Sequence, residues 1–93
     1  MIIKDRHILN TYQRKRIKEL QNNPTQEYGI LIRTFNNSRY KVAIVVGGKN
    51  EDHSSIEIYD RETQKQYSKT IDRYIIGTWT IECGEDIVEL EVR

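Results

Sequence analysis

The sequence predicts an α+β domain in which one N-terminal helix is followed by a curved antiparallel sheet of five to six strands. Apolar residues recur at helical spacing before Pro24, and after it they alternate with polar residues to the end of the chain. Short connections join the alternating segments and favour antiparallel pairing, because a parallel crossover needs a dozen or more residues. A chain of 93 residues fits one domain spanning residues 1–93. Closure of the sheet into a small barrel is the alternative arrangement.

The helix is expected over residues 5–22. Its apolar side would carry four residues at helical spacing: Leu9, Tyr12, Ile17 and Leu20. Asn22 and Asn23 suit a last turn, and Pro24 cannot continue a helix. The sequence therefore predicts that the chain leaves the helix just before this proline.

The β region is expected over residues 28–93. Apolar side chains at every second position predict strands near residues 30–33, 40–46, 56–59, 67–71, 74–83 and 88–92. The segment 42–46 is apolar on both faces, so we expect this strand in the middle of the sheet. Gly77 marks a bend or a bulge inside the long segment 74–83.

The charges are divided unevenly along the chain. Residues 1–49 hold ten basic and three acidic side chains, a net of +7, and residues 50–93 hold five basic and eleven acidic ones, a net of −6. Together these give the overall charge of +1. Such a division indicates a charged contact surface. It is equally consistent with basic strands lying beside acidic strands, where the charges would compensate one another.

The basic half offers a candidate surface for nucleic acid. The cations are Arg14, Lys15, Arg16 and Lys18 on the helix, with Arg33, Arg39 and Lys41 on the first strands, and the aromatic residues are Tyr12 and Tyr40. Single-stranded nucleic acid binds to cations through phosphates and to aromatic rings through stacked bases. We therefore expect a non-enzymatic binding protein that contacts nucleic acid or a nucleic-acid-bound complex. The alternative interpretation is a solvated helix face with ordinary strand aromatics.

The acidic half supports a second hypothesis. Its carboxylates near the C-terminus are Glu82, Glu85, Asp86, Glu89 and Glu91. A row of them on one strand face can imitate phosphates and bind to a basic groove of another protein. The chain would then be an inhibitor or accessory protein of phage or mobile-element type, directed at a host or defence protein such as a nuclease. Alternatively, these carboxylates protect an edge strand from pairing with another chain.

Catalysis, metal and cofactors are not expected from this sequence. The single cysteine, Cys83, and the two histidines, His7 and His53, do not have the spacing of metal ligands. A small ribonuclease-like enzyme is the third hypothesis, with this set of acid–base groups and phosphate ligands: His53, Glu57, Glu82, Arg61 and Arg73. No catalytic motif joins these residues.

The location expected for the chain is the cytoplasm, without contact to a membrane. The start of the sequence lacks the apolar run of a signal peptide, and the longest apolar run, residues 42–46, is too short to span a bilayer. One cysteine cannot form an internal disulfide, which fits a reducing compartment. The sequence leaves open the partner, the choice between DNA, RNA and protein, and the oligomeric state.

Overall fold

The computed structural model describes residues 1–25, 29–35 and 38–93, with the backbone alone described at Phe35. Within these residues the chain forms one helix and seven strands, which confirms the predicted α+β class. In chain order the elements are β1 (Ile2–His7), α1 (Thr11–Asn22), β2 (Ile30–Phe35), β3 (Tyr40–Val46), β4 (His53–Asp60), β5 (Gln66–Asp72), β6 (Gly77–Cys83) and β7 (Asp86–Val92). The expected start of the β region at residue 28 lies outside the described residues.

The strands form two sheets, so the prediction of one antiparallel sheet with five to six strands is wrong. The first sheet has the order β1-β7-β6, and the second has the order β2-β3-β4-β5. β1 pairs with β7 in parallel, with Ile3 opposite Val88, whereas the other described pairs are antiparallel. The small barrel is also wrong, because neither strand order closes on itself among the described residues. The predicted central position of residues 42–46 is confirmed, since β3 lies between β2 and β4.

The helix begins later than predicted, because residues 2–7 form a strand. Along β1, exposed and half-buried residues alternate with a period of two. The half-buried positions include Asp5 and His7, and these polar side chains hide the strand pattern in the sequence. Burial raises the pKa of Asp5, whose Oδ2 has no hydrogen-bond partner among the described residues. This inner face of β1 carries too few apolar side chains to be recognised as a strand from its pattern.

A capping box sets the true start of α1. The Asn10 side chain accepts a hydrogen bond of 2.8 Å from the Gln13 backbone N–H, and the Gln13 side chain accepts one of 3.1 Å from the Asn10 backbone N–H. The predicted end is confirmed, since α1 stops at Asn22. Tyr12 is 70% exposed and does not belong to the apolar side. In the described part of the chain, no helix is both long and apolar enough to cross a membrane.

The inner faces of the two sheets build one hydrophobic core. The second sheet contributes the side chains of Val42, Ile44, Val46, Ile56 and Ile58, and the first sheet contributes those of Ile81, Val88, Leu90 and Val92. Burying one such side chain completely is worth about 1.5–3 kcal/mol. Leu9 and Leu20 from the region of α1 join the same core. The helix is therefore held by the core between the sheets.

The strands of both sheets run between two opposite ends of the molecule. At one end lie the residue pairs Ile30–Val46, His53–Asp72 and Gly77–Val92. Here the Gln21 side chain of α1 donates a hydrogen bond of 2.9 Å to the Arg73 carbonyl oxygen, so α1 is tied to this end. We define the helix end as α1 together with residues 73–76, which connect β5 to β6. The opposite end, defined as the ion-pair end, consists of Arg39, Tyr40, Asp60 and Asp86.

Candidate anion-binding cleft at the helix end

A cleft with a volume of about 380 Å³ lies between α1 and residues 73–76. Three cationic side chains line it: Arg14 and Lys18 from α1, and Arg73 from the connection. The apolar residues of the lining include Ile17, Ile75 and Ile76. No carboxylate is found among the described residues that line this cleft. A concave site lined by charges of one sign concentrates the potential that attracts an anion.

The helical repeat brings two of these cations to the cleft. Arg14 and Lys18 are four residues apart, so they lie on one face of α1. The Arg14 Nε donates a hydrogen bond of 3.3 Å to the Leu9 carbonyl oxygen, which holds the guanidinium against the chain before α1. Lys18 forms no ion pair with any residue that the structure describes. Its ammonium group is therefore available for a ligand.

Arg73 is fixed from both sides of the connection. Its Nη2 donates a hydrogen bond of 2.8 Å to the Gln21 carbonyl oxygen near the end of α1. Its own carbonyl oxygen accepts hydrogen bonds from the Gln21 side chain, at 2.9 Å, and from the Ser54 hydroxyl, at 3.2 Å. The Arg73 Nε is buried and has no partner among the described residues. The guanidinium is thus held in place with its hydrogen-bonding capacity only partly used.

The wall beside Arg73 is apolar and partly open to solvent. Tyr74 is 67% exposed and Ile76 is 59% exposed, whereas Ile75 points into the core and is 3% exposed. The Arg73 guanidinium carbon lies 5.7 Å from the centre of the Tyr74 ring. The Trp79 indole N–H donates a hydrogen bond of 2.9 Å to the Ile75 carbonyl oxygen, which fixes this segment to β6. The cleft therefore presents an aromatic ring and aliphatic side chains next to its cations.

The basic cluster of α1 is divided by the fold. Arg14 and Lys18 line the cleft, whereas Lys15 is exposed and is not part of its lining. The Arg16 Nη1 lies 3.1 Å from the Glu19 Oε2, and both side chains are about half exposed. Tyr12 is also outside the lining. Two of the five candidates on α1 therefore come together at one site.

Arg33 and Lys41 lie on a different surface, the outer face of the second sheet. They border a shallow hollow of about 270 Å³ together with Tyr59 and Glu57. Glu57 accepts hydrogen bonds of 2.9 and 3.2 Å from the side chains of the residues Gln66 and Ser68 on β5. A carboxylate within this hollow lowers its attraction for an anion, in contrast to the cleft at the helix end.

Arg39 and Tyr40 hold the ion-pair end together. The Arg39 Nε and Nη2 donate hydrogen bonds of 3.2 and 3.1 Å to the two carboxylate oxygens of Asp60, which is 2% exposed. The Arg39 Nη1 lies 3.3 Å from an Asp86 oxygen, to which the buried Tyr40 hydroxyl donates a hydrogen bond of 3.0 Å. These contacts join β3 and β4 of one sheet to β7 of the other.

The same contacts shift two pKa values in opposite directions. The hydrogen bonds from Arg39 lower the pKa of Asp60 to about 2, because they favour its charged form. Burial, assisted by the hydrogen bond to Asp86, raises the pKa of Tyr40 to about 12. The carboxylate is thus kept charged and the phenol is kept neutral, which suits a structural ion pair.

The acidic row on β7 is largely compensated by basic neighbours. Glu91 contacts the Arg6 Nε at 3.1 Å and also contacts Arg93, and the hydrogen bond from Arg93 is the main cause of its lowered pKa. Glu89 lies opposite Lys4 in the register of β1 and β7. β7 is the middle strand of its sheet, so the interpretation as edge protection is wrong for these two residues. Glu82 and Glu85 are exposed and form no ion pair in the described part of the chain.

Of the residues considered for catalysis, His53 and Arg73 both lie at the helix end, whereas the other three, Glu57, Arg61 and Glu82, lie elsewhere in the fold. His53 and Glu57 lie on β4, Glu82 lies on β6, and Arg61 follows the opposite end of β4 from His53. The described residues contain no group of three or more His, Cys, Asp or Glu side chains placed to hold a metal ion. Burial raises the pKa of the Cys83 thiol to about 11, which keeps it protonated and weakly nucleophilic at neutral pH.

No family model, curated protein or solved structure matches this chain, so its function is argued from the cleft itself. The contribution of Tyr74 and Ile76 to the cleft does not follow from the sequence, whose alternation predicts one strand over residues 74–83. From the sequence, Arg73 is a candidate only as a phosphate ligand of an enzyme. The stretch Asp72–Gly77, DRYIIG, does carry a signal in the sequence, since a tyrosine and two isoleucines follow an arginine directly before a glycine.

Proposed function

We propose that the protein is a non-enzymatic binding module. Its helix-end cleft binds single-stranded nucleic acid, either free or within a larger complex. The observation that carries this proposal is the convergence of Arg14, Lys18 and Arg73 beside an exposed tyrosine, with no carboxylate in the described lining. The cytoplasmic location expected from the sequence belongs to the same proposal.

Each part of the cleft suits one part of a nucleotide. The guanidinium groups of Arg14 and Arg73 can donate two parallel hydrogen bonds to phosphate oxygens, and the Lys18 ammonium acts as a point charge. The exposed ring of Tyr74 offers a face for a base, and such stacking is worth about 1–3 kcal/mol per base. Ile76 and Ile17 extend the apolar wall beside it.

The two arginines are positioned before a ligand arrives. Arg14 is held by the Leu9 carbonyl oxygen and Arg73 by the Gln21 carbonyl oxygen. A binding group that is already fixed loses less conformational entropy when the ligand binds. This arrangement supports binding through the cleft more strongly than binding through the exposed Lys15 or the paired Arg16.

The proposal is tested by measuring affinity for fluorescent single-stranded DNA and RNA over a range of salt concentrations. A double variant, Arg14→Gln with Lys18→Gln, is compared with the parent protein and with Lys15→Gln, which removes a cation of α1 outside the cleft. We expect the double variant to bind more weakly, with a slope of log affinity against log salt shallower by about 0.7 per lost phosphate contact. Lys15→Gln should bind nearly as the parent does. Equal affinity of the double variant and the parent would contradict the proposal.

The second candidate is an inhibitor or accessory protein of phage or mobile-element type that docks on a host or defence nuclease through its acidic strands. Glu82 near the end of β6 and Glu85 in the turn that follows support it, because both are exposed and form no ion pair in the described part of the chain. The compensation of Glu89 and Glu91 makes this surface smaller than the sequence suggests. Inhibition of a target nuclease should then be lost on Glu82→Gln with Glu85→Gln. A ribonuclease-like activity remains the third candidate.

A further inference from the structure

We infer that the helix-end cleft recognises a terminal phosphate monoester of a nucleic-acid strand rather than the diester groups along it. This inference rests on the proposed function of the cleft and adds which part of the strand enters it. It is based on three observations: the number of cations at the cleft, their arrangement around a small cavity, and the apolar wall on one side of that cavity.

The charge of the cleft matches a monoester better than a diester. Arg14, Lys18 and Arg73 bring three positive charges, and no carboxylate lies among the described lining residues. A phosphate monoester carries a charge of about −1.5 to −2 at pH 7, whereas each phosphate within a strand carries −1. A monoester also presents three oxygens that accept charge-assisted hydrogen bonds. A terminal group therefore offers the three cations more negative charge and more acceptor oxygens than a phosphate within the strand does.

The three cations approach the cavity from two different elements. Arg14 and Lys18 extend from α1, and Arg73 extends from the segment that faces it. Arg73 cannot swing away freely, because its Nη2 is bonded to the Gln21 carbonyl oxygen. Its Nε is buried, so the terminal nitrogen atoms of the guanidinium are the donors left to an incoming phosphate oxygen. Donors on both sides of a cavity favour a compact group that can be surrounded.

The size of the cavity also favours the end of a strand. Its volume of about 380 Å³ is at the small end of the range for sites that hold one small molecule, about 300–1,000 Å³. Such a volume accommodates a terminal phosphate with its first nucleoside, with the base placed against Tyr74 and Ile76. A continuous strand requires an open groove with cations spaced along it. The other exposed cations, Arg33 and Lys41, border a different hollow and do not extend this one.

The test compares four single-stranded oligonucleotides of one sequence: with a 5′-phosphate, with a 3′-phosphate, with both ends as hydroxyls, and with the 5′-phosphate masked as a methyl ester. We expect at least one phosphorylated end to bind about tenfold tighter than the hydroxyl form at pH 7.5, from the added charge-assisted hydrogen bonds. The methyl ester keeps only one negative charge and two free oxygens, so it should bind clearly more weakly than the phosphate monoester. The 5′ and 3′ forms show which end enters the cleft.

A change of pH and one pair of variants supply independent readouts. The second pKa of a phosphate monoester is about 6, so the preference for phosphorylated ends should shrink at pH 5. The charged and titratable groups that line the cleft are Arg14 and Lys18 from α1, and Arg73 and Tyr74 from the connection, with no carboxylate or imidazole among the described lining residues. The preference should also fall in Arg14→Gln and in Lys18→Gln, and should persist in Lys15→Gln.

The outcomes separate this inference from the proposed function. If all four oligonucleotides bind equally and the cleft variants weaken them equally, nucleic-acid binding stands and the terminal phosphate is ruled out. If no oligonucleotide binds at millimolar concentration, the proposed function and the inference both fail. Tight binding of a phosphotyrosine peptide without binding of any oligonucleotide would also overturn both, and would reassign the cleft to a protein ligand. The comparison of oligonucleotides needs only the parent protein, so it does not depend on the folding of a variant.

Discussion

An arginine followed by a tyrosine occurs at both ends of the molecule, and the surroundings give the two pairs different roles. At the ion-pair end, Arg39 contacts three carboxylates, those of Asp60, Glu62 and Asp86, and Tyr40 is completely buried. At the helix end, Arg73 contacts a backbone carbonyl oxygen, and Tyr74 is 67% exposed. The guanidinium stands near the ring of its neighbour in both pairs, at 5.1 Å and 5.7 Å from the ring centre.

The difference lies in the counter-charges rather than in the arginine and tyrosine themselves. At the ion-pair end, carboxylates from β4 and β7 satisfy Arg39 and join the two sheets. At the helix end, three cations converge where the described lining supplies no carboxylate. Positive charges brought together without compensation reduce stability through repulsion. The comparison therefore gives the ion-pair end a stabilising role and supports the proposal of anion binding at the helix end.

The largest expected effect is the loss of stability on Asp60→Asn. This change removes the negative charge that Arg39 contacts through two hydrogen bonds. Because Asp60 is 2% exposed, water cannot take over the lost contact. The matched control is Glu62→Gln, which removes a more exposed partner of the same arginine, 3.5 Å away. We expect thermal unfolding to show a clear fall in Tm for Asp60→Asn. For Glu62→Gln the Tm should stay close to that of the parent, because exposed substitutions usually change the free energy of unfolding by no more than about 0.5 kcal/mol. Similar Tm values for both variants would show that the ion-pair end does not stabilise the fold.

The second expected effect is the dependence of this stabilisation on pH. In the folded protein the hydrogen bonds from Arg39 hold the pKa of Asp60 at about 2, below the value of about 4 expected in the unfolded chain. The folded state therefore binds this proton less readily than the unfolded state, and the charged carboxylate stabilises the fold above pH 4. The contribution is lost as pH falls from about 4 to about 2.

Denaturant unfolding of the parent and of Asp60→Asn at several pH values measures this dependence. The difference in free energy of unfolding should be constant above about pH 5 and should shrink toward pH 2. A difference that stays the same down to pH 2 would mean that the Asp60 carboxylate is not held by Arg39 as the structure shows. Glu62→Gln serves as the control for general effects of acid.

Much of the fold could be predicted because its signals are local. The end of α1 follows from Pro24, and the central place of β3 follows from its apolar residues on both faces. β1 was missed because its pairing partner, β7, is at the other end of the chain, and because the inward positions Asp5 and His7 are polar. Parallel pairing of the first and last strands leaves no signal in the local pattern.

The candidate site could be predicted only in part for the same reason. Arg14 and Lys18 belong to a dense basic cluster that is visible in the sequence. The sequence does not show that Lys15 and Arg16 lie outside the cleft, because that depends on which face of α1 packs against residues 73–76. It also cannot distinguish Arg39 from Arg73, since their contacts come from residues distant in the chain: Asp86 in one case and Gln21 in the other.

The smallest expected effect is a difference in chemical reactivity between the two tyrosines. Tyr74 is 67% exposed and Tyr40 is fully buried, so limited nitration at pH 8 should modify Tyr74 and spare Tyr40. The burial that raises the pKa of Tyr40 to about 12 also keeps its ring from forming the reactive phenolate. Peptide mass analysis identifies the modified residue. Rapid nitration of Tyr40 in the folded protein would show that the ion-pair end opens readily.

The most direct test of the division between the two ends is a nuclear magnetic resonance titration of the labelled protein with single-stranded DNA. We expect chemical-shift changes at Arg14, Lys18 and residues 73–76, and at the Trp79 indole N–H, which is bonded to the Ile75 carbonyl oxygen. Signals of the ion-pair end should stay unchanged. Changes centred on Arg33, Lys41 and Tyr59, with none at the helix end, would refute binding at the cleft and would place the binding surface on the outer face of the second sheet.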